Sequence, residues 1–192
     1  MSIHQAPLPL CQEKLAQLLV IDAQERLAAV MRKDDLAVTL ANINRLLEAA
    51  RLLEIPISVT EQYPQGLGPT VEAIRQQLPG ELAATEKTSF SCCTAAGFER
   101  SLNREPGRKQ VVLVGMETHI CILQTASGLQ RWGYQVFVPA DAVCSRHPGN
   151  RDNALERMRQ AGIQVTNTES VAFEWVGDST HPRFREVSRL FR

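Results

Sequence analysis

Residues 110–138 read QVVLVGMETHICILQTASGLQRWGYQVFV, and they contain the clearest strand signal in the chain. Gln110–Val114 is a short apolar run rich in branched residues, which predicts a strand buried on both faces. Thr118–Trp132 predicts the helix that follows, and Gly133 is a typical helix stop. Tyr134–Val138 predicts the next strand. A strand, a helix and a strand in this order predict a parallel pair joined by a right-handed crossover.

The same alternation runs through the whole chain. Further strands are predicted at Leu15–Ile21, Ile57–Thr60 and Ile163–Thr166, with a short strand or extended loop at Glu81–Lys87. Further helices are predicted at Leu36–Leu53, Pro69–Leu78, Ser91–Ala96, Phe98–Asn103, Asn150–Ala161, Ser170–Val176 and Arg183–Phe191. The segment YPQGLGPT, Tyr63–Thr70, predicts a loop inside the domain. Together these elements predict an α/β fold with a parallel sheet, in a single domain spanning residues 1–192.

The composition limits the class of partner. The chain has 192 residues, of which 44% are hydrophobic and 22% charged, as is usual for a globular domain. Because 21 Lys and Arg residues balance 21 Asp and Glu residues, no excess charge points to nucleic acid or to an anionic membrane. No apolar run has the length of a membrane span. A small-molecule substrate or a protein partner is therefore expected, with no nucleic acid and no membrane.

The N-terminal segment and the cysteines predict a cytoplasmic location. Met1–Leu10 lacks the basic start and the long apolar core of a signal peptide. The five cysteines are odd in number and lack metal-type spacing, so they are interpreted as reduced thiols rather than a disulfide framework.

Three reactive residues follow or precede predicted strands in a way that places them at one edge of the sheet. Asp22 follows the first strand, Lys87 lies in the segment TEKTSF just before the next predicted helix, and Cys121 follows the strand at Gln110–Val114. Ligands bind beyond the carboxyl ends of parallel strands, so these groups are candidates for one site. A thiol in the first turn of a helix has a lowered pKa. A carboxylate can take its proton, and an ammonium can stabilise the thiolate.

Each of these residues also has a structural interpretation. An aspartate after a strand is often a turn or helix cap, a loop lysine is usually solvated, and a cysteine near a sheet is usually a small buried hydrophobe. The functional hypothesis depends on the three residues meeting at one place.

Four segments resemble the isochorismatase-like cysteine hydrolases, and in particular the isochorismatase domain-containing proteins. They read LLVIDAQERL, VTEQYPQGLGPT, EKTSFSC and VVLVGMETHICILQTASGLQRWGYQVFVPADAVCSR. The resemblance implies a three-layer α/β/α fold with a six-stranded parallel sheet in Rossmann-like order. It also implies a catalytic triad of Asp22, Lys87 and Cys121.

The resemblance further implies a cis peptide bond between Met116 and Glu117, with the amides of Glu117 and Cys121 directed at an oxyanion. The implied chemistry is thiolate attack on an amide-type carbonyl, followed by hydrolysis of a thioester. Relatives form oligomers, so a homo-oligomer is expected, and Trp175, Phe184 and Phe191 are candidates for packing between subunits.

Two departures from the wider superfamily matter. Nicotinamidases carry a metal site built on Asp-x-His after the second strand, whereas Thr60–Tyr63 has no histidine nearby, so no metal and no cofactor are expected. The presence of Cys121 favours cleavage of a C–N bond over a vinyl ether. Five residues are predicted to line the substrate pocket. Four of them lie beside the motifs and the fifth, Thr118, lies at the helix start; the four are Gln24, Gln62, Tyr63 and Phe90. Alternatively, the aromatics are packing residues and the glutamines cap loops.

The remaining thiols and histidines are weaker candidates. Cys92, Cys93 and Cys144 are predicted to pack, and Cys11 to be incidental. His119 is two residues from Cys121, a spacing that directs the two side chains to different helix faces. Two other functions stay open, a non-catalytic interaction protein that keeps the fold and a dinucleotide-binding oxidoreductase. The second is disfavoured because no glycine fingerprint is present.

Overall fold

A computed structural model describes residues 8–80, 82–102 and 104–192. The expectations for Met1–Leu10, for the start of Glu81–Lys87 and for the end of Phe98–Asn103 therefore fall partly outside the described residues. The strands are β1 (Ala16–Ile21), β2 (Ile57–Gln62), β3 (Thr85–Lys87), β4 (Gln110–Met116), β5 (Gln135–Pro139), β6 (Val143–Cys144) and β7 (Gln164–Thr166).

The sheet is parallel throughout, in the order β3-β2-β1-β4-β5-β7. The two-residue β6 is a seventh strand that pairs with the end of β4. The order reverses between β1 and β4, which is where ligands bind in open parallel sheets. The predicted α/β fold with a parallel sheet in Rossmann-like order is confirmed, and β6 is an addition to it.

Helices connect the strands and cover the sheet. The α-helices are α1 (Glu25–Ala28), α2 (Lys33–Leu52), α3 (Pro64–Leu67), α4 (Glu72–Arg75), α5 (Phe98–Leu102), α6 (Leu123–Arg131), α7 (Pro148–Gln160), α8 (Thr168–Val176) and α9 (Phe184–Arg189). Short 3-10 helices lie at Cys92–Thr94 and Ala140–Ala142, and a π-helix lies at Thr118–Ile122. Within the described ranges, none of the helices has both the length and the apolar composition required to cross a bilayer.

The central strands β1 and β4 are buried on both faces, because helices cover both sides of the sheet and successive side chains point to opposite sides. Leu18 and Val20 belong to the core beneath α2 and α8. Leu19 and Ile21, which alternate with them, belong to the core beneath α6 and α7. This arrangement explains the nearly continuous apolar runs in the sequence and gives the three layers.

Gly115 brings the end of β4 close to β1. Its φ is +118°, and a Cβ built there would lie 2.0 Å from the carbonyl oxygen of Ile21. No larger side chain fits between the two backbones at this point. The close approach places the segment after β4 next to Asp22, which directly follows Ile21.

Three predicted elements differ in the structure. The helix predicted at Thr118–Trp132 begins as a π-helix, in which the amide of Ile122 donates to the carbonyl of Glu117. The helix predicted at Pro69–Leu78 shrinks to α4 because Thr70 forms an extended bridge with Gln24. The loop predicted at Tyr63–Thr70 contains the helical turn α3.

The C-terminal aromatic residues pack within the chain. Trp175 is 2% exposed and donates to the Cys11 sulfur at 3.2 Å. The ring of Phe173 lies 6.2 Å from that of Phe184 and 6.1 Å from that of Phe191. The expectation that Trp175 packs between subunits is wrong, since residues of the same chain already bury it. Phe184 and Phe191 also have aromatic partners within the chain.

Candidate active site

The three candidate catalytic residues lie at the carboxyl ends of neighbouring strands. Asp22 follows β1 with a left-handed φ of 49°, an uncommon backbone conformation for a residue other than glycine. Lys87 is the last residue of β3. Cys121 lies in the π-helix that follows β4. The sheet therefore brings together residues that are up to 99 positions apart in sequence, the separation of Asp22 and Cys121.

Lys87 stands between the other two groups. Its Nζ lies 2.6 Å from Oδ2 of Asp22 and 3.7 Å from Sγ of Cys121. The side chains of Lys87 and Asp22 are both 0% exposed, whereas Cys121 keeps 5% of its surface. A buried ion pair with a thiol beside it is the arrangement required for nucleophilic catalysis without histidine.

Further hydrogen bonds fix the ion pair. Nζ of Lys87 also donates to Oε1 of Gln62 at 2.8 Å and to the carbonyl oxygens of Ser89 and Phe90 at 3.2 and 3.4 Å. Oδ1 of Asp22 accepts from the hydroxyl of Thr60 at 2.8 Å. Thr60 was not among the site residues predicted from the sequence. Its position two residues before Gln62, on the strand between β1 and β3, could have indicated that its side chain lies on the same face of the sheet as that of Gln62.

The Cys121 thiol does not have the lowered pKa expected from the helix start. Burial raises the pKa of Cys121 well above its usual value, and the Asp22 carboxylate raises it further, while the Lys87 ammonium lowers it. Burial lowers the pKa of Lys87, but Asp22 and the neighbouring thiols outweigh burial and raise it overall. At neutral pH the site therefore holds an ammonium and a neutral thiol.

The peptide bond between Met116 and Glu117 is cis. The Glu117 carboxylate is buried and accepts from the amide of Arg146 at 3.1 Å, with the guanidinium at 3.3 Å. The carbonyl of Glu117 accepts from the amides of Ile120 and Ile122. These contacts fix the turn between β4 and the π-helix.

The two glutamines predicted to line the pocket use their amide groups within the protein. Nε2 of Gln24 donates to the carbonyls of Gln62 and Gly68, and its Oε1 accepts from the amide of Gln62 at 2.7 Å. Nε2 of Gln62 donates to the carbonyl of Thr88 at 2.7 Å. These contacts match the loop-capping alternative for both residues, with Gln62 contacting Lys87 as well.

The two aromatic residues predicted to line the pocket do not match the alternative in which they pack in the core. Tyr63 is 55% exposed and Phe90 is 53% exposed, so neither is a core packing residue. Tyr63 and Lys87 line a cavity of 390 Å³ beside the site. Thr118 is fully buried, and within the described part of the chain its hydroxyl oxygen has no hydrogen-bond partner. A buried hydroxyl without a partner in the protein calls for an explanation, such as a bound water molecule or a ligand.

The other thiols are free in the described part of the chain. Cys92 is buried, and its sulfur donates to Thr60 Oγ1 at 3.8 Å, next to the site. Burial raises the pKa of Cys92 to about 12. His119 contacts Ser145 at 3.0 Å, consistent with its facing away from Cys121.

The segment that corresponds to the nicotinamidase metal motif has a different role here. Oε1 of Glu61 accepts from the amide and the hydroxyl of Thr70, at 2.6 and 2.7 Å. Its carboxylate thus fixes the loop after α3. Among the residues that the structure describes, no group of three His, Cys, Asp or Glu side chains is placed to hold a metal ion.

Comparison with known proteins gives a consistent result. Isochorismatase domain-containing protein 2 of Bos taurus is 41% identical over 177 residues, which cover 92% of this chain and 83% of the relative. Isochorismatase domain-containing protein 1 of Salmo salar is 44% identical over 77% of this chain, which spans only about half, 51%, of that relative.

Among solved structures, the MAR1 ribonuclease of Caenorhabditis elegans is similar with a TM-score of 0.88 and 38% identity, covering 95% of this chain and 92% of that one. The family model of the isochorismatase domain matches residues 16–170, which include all the strands and the three site residues. The chain therefore belongs to the isochorismatase family.

Proposed function

We propose that this chain is a cysteine hydrolase that cleaves a C–N bond of a small amide-type molecule through a thioester on Cys121. The observation that carries the proposal is the buried contact of Lys87 with both Asp22 and Cys121, at 2.6 and 3.7 Å. A carboxylate, an ammonium and a thiol in contact supply a proton acceptor, a fixed positive charge and a nucleophile.

In the first half of the reaction, Sγ of Cys121 attacks the carbonyl carbon and its proton passes to the Asp22 carboxylate. The carbonyl oxygen becomes an oxyanion, for which the backbone amides of Glu117 and Cys121 are the proposed donors. The C–N bond then breaks, and the amine leaves with the proton from Asp22. A thioester on Cys121 remains.

In the second half, Asp22 accepts a proton from water as the water attacks the thioester. The C–S bond breaks, the acid product leaves, and the proton returns to the Cys121 sulfur. The net reaction converts an amide and water into a carboxylic acid and an amine. Because the pKa of Cys121 is raised by burial, attack requires this transfer of its proton to Asp22, rather than a thiolate that is already present.

The surroundings of the site support a small substrate. The Thr118 hydroxyl is a proposed hydrogen-bond partner for the substrate, and Tyr63 and Phe90 are proposed contacts for its apolar part. We further propose that the mechanism is independent of metal and cofactor, that the chain acts in the cytoplasm, where its free cysteines stay reduced, and that it forms a homo-oligomer. Light scattering of the purified protein would test the oligomer.

The main test compares wild type with Cys121→Ala on a panel of small amides, esters and vinyl ethers. For a substrate that the wild type cleaves, turnover by Cys121→Ala is expected to fall by at least ~10³-fold, and mass spectrometry of the wild type should find an acyl adduct on Cys121. Cys93→Ala is the matched control, since Cys93 lies outside the ion pair. Full turnover by Cys121→Ala would show the mechanism to be wrong.

Two other outcomes separate the alternatives. The C. elegans relative is described as a ribonuclease, so RNA belongs in the panel, although the zero net charge of this chain gives no general attraction for it. RNA cleavage that survives in Cys121→Ala would point to a different site. Failure on every substrate, together with a protein partner, would favour a non-catalytic interaction protein.

A further inference from the structure

Strand β2 lies between the strands that carry the acid and the amine, and two of its side chains contact them. In the strand register, Thr60 is opposite Ile21, which precedes Asp22, and Gln62 is opposite Lys87. Residues two apart on a strand point to the same face. The Thr60 hydroxyl and the Gln62 amide therefore lie side by side, one at each partner of the ion pair.

The contacts of the two residues define their orientation. The Thr60 hydroxyl donates to Oδ1 of Asp22 at 2.8 Å and accepts from the Cys92 sulfur at 3.8 Å. Gln62 donates through Nε2 to the carbonyl of Thr88 at 2.7 Å. Since that contact requires the amide nitrogen, the amide oxygen must face Lys87, which it contacts at 2.8 Å.

We propose that Thr60 and Gln62 are positioning residues, which orient the Asp22 carboxylate and the Lys87 ammonium so that the Cys121 thiol meets both. The inference rests on the proposed function and deepens it. With Thr60 bound to Oδ1 and Lys87 bound to Oδ2, the carboxylate plane is fixed at both oxygens. Gln62 restrains the ammonium from the side of β2, so it stays beside the sulfur.

The test uses iodoacetamide as the probe, because the substrate is unidentified and alkylation of Cys121 reports directly on its proton transfer. Alkylation of each cysteine would be followed by peptide mass spectrometry. Thr60→Val keeps the side-chain volume but removes the hydroxyl. We expect Cys121 to react about tenfold more slowly at pH 7 in this variant.

Rescue by a conservative variant separates positioning from a general structural effect. Thr60→Val leaves Lys87, Cys121 and Cys92 in place and removes only the hydroxyl that donates to Oδ1 of Asp22. A loss of Cys121 reactivity that returns when the hydroxyl is restored would therefore report the orientation of the carboxylate.

Two controls accompany Thr60→Val. Thr60→Ser retains the hydroxyl and should restore the rate to within about threefold of wild type. Thr125→Val makes the same chemical change at a buried threonine that accepts from the amide of Cys92 and does not contact the ion pair. It should leave the Cys121 alkylation rate unchanged. Thermal unfolding of each variant would confirm that it is folded.

A second variant tests the other positioning residue. Gln62→Leu removes the acceptor for Lys87 and should slow Cys121 alkylation by about tenfold. Gln110→Leu is its matched control, since Gln110 is a buried glutamine at the amino end of β4. Wild-type rates in folded Thr60→Val and Gln62→Leu would overturn the inference. Failure of the proposed function is a separate result, full turnover by Cys121→Ala.

Discussion

The two ends of the sheet are both rich in buried polar groups, but they use them differently. At the amino end, the side-chain amide of Gln110 accepts from the amide of Gln12 and donates to Leu10 and Gln135, so that neutral groups satisfy one another. At the carboxyl end, a carboxylate and an ammonium are both fully enclosed. The buried Gln110 at one end makes neutral hydrogen bonds, whereas the other end maintains an ion pair in the interior.

This difference distinguishes polar groups that are buried to stabilise the fold from charged groups whose burial needs another explanation. A buried ion pair is weak evidence for stability, because the cost of desolvating two charges offsets most of their attraction. A neutral pair of similar shape would serve the fold as well. Burial of Asp22 and Lys87 beside a thiol therefore supports the proposed function rather than a role in stability.

The largest expected effect comes from breaking the ion pair on one side. Lys87→Met leaves the Asp22 carboxylate buried without its partner, and the free energy of unfolding should fall by about 3–5 kcal/mol. Adding Asp22→Asn removes the remaining charge and should recover most of this loss, without restoring turnover. Urea unfolding of the single and double variants measures both values. A double variant as unstable as Lys87→Met would mean that the pair holds the fold together.

A second large effect is expected where β4 meets β1. Gly115→Ala places a Cβ 2.0 Å from the carbonyl oxygen of Ile21, so both backbones must move, and the loss of stability should be roughly 3 kcal/mol or more. Gly133→Ala is the control. Gly133 also has a positive φ, +79°, but a Cβ there meets nothing within 4 Å, so its cost should be about 1–2 kcal/mol. Equal losses in urea unfolding would contradict the steric explanation.

A smaller effect is expected at the amino end. Gln110→Leu leaves the amide of Gln12 and the carbonyl of Leu10 without this partner, which should cost about 1–3 kcal/mol. Turnover of the folded protein at 25 °C should stay within twofold of wild type, since the substitution lies at the opposite edge from the site. A loss of turnover in fully folded Gln110→Leu would contradict the view that the amino end of the sheet serves only stability.

The sequence predicted the fold well because apolar runs report directly on burial at both faces of a parallel sheet. Asp22, Lys87 and Cys121 could be placed at one edge because topology brings all carboxyl ends of parallel strands to the same side. Short turns such as α1 and α3, and the two-residue β6, carry no periodic signal and were not predicted.

The hydrogen bonds between side chains could not be predicted from the sequence, for a different reason. The contact of Thr60 with Asp22 depends on strand register, which no local pattern specifies. The direction of the pKa change of Cys121 depends on how deeply the sulfur is buried and on its distance from a carboxylate, and both are tertiary properties. The helix start contributes only local dipoles, and the prediction of a lowered pKa for Cys121 was wrong because burial and Asp22 outweigh them.

The last expected effect appears only at alkaline pH. At the amino end, burial raises the pKa of Cys11 from 9.0 to about 12, with a lowering contribution from the Trp175 indole and a raising one from Glu174. The folded protein therefore holds this proton more tightly than the unfolded chain does. The contribution to stability is fully present below pH 9 and is lost as the pH rises toward 12.

Cys11→Ala removes this titration. Its free energy of unfolding should decline less steeply between pH 9 and 11 than that of wild type, by up to about 1.4 kcal/mol per pH unit, whatever its value at pH 7. Cys93→Ala is the control, because Cys93 is only half-buried and should change the slope less. Urea unfolding at several pH values gives both slopes. Cys92, beside the candidate site, is buried to the same degree as Cys11. An equal change of slope in Cys92→Ala would therefore show that alkaline sensitivity follows burial at either end of the sheet. A larger change in Cys92→Ala would instead show that the Asp22 carboxylate, which raises the pKa of Cys92, outweighs the Lys87 ammonium, which lowers it.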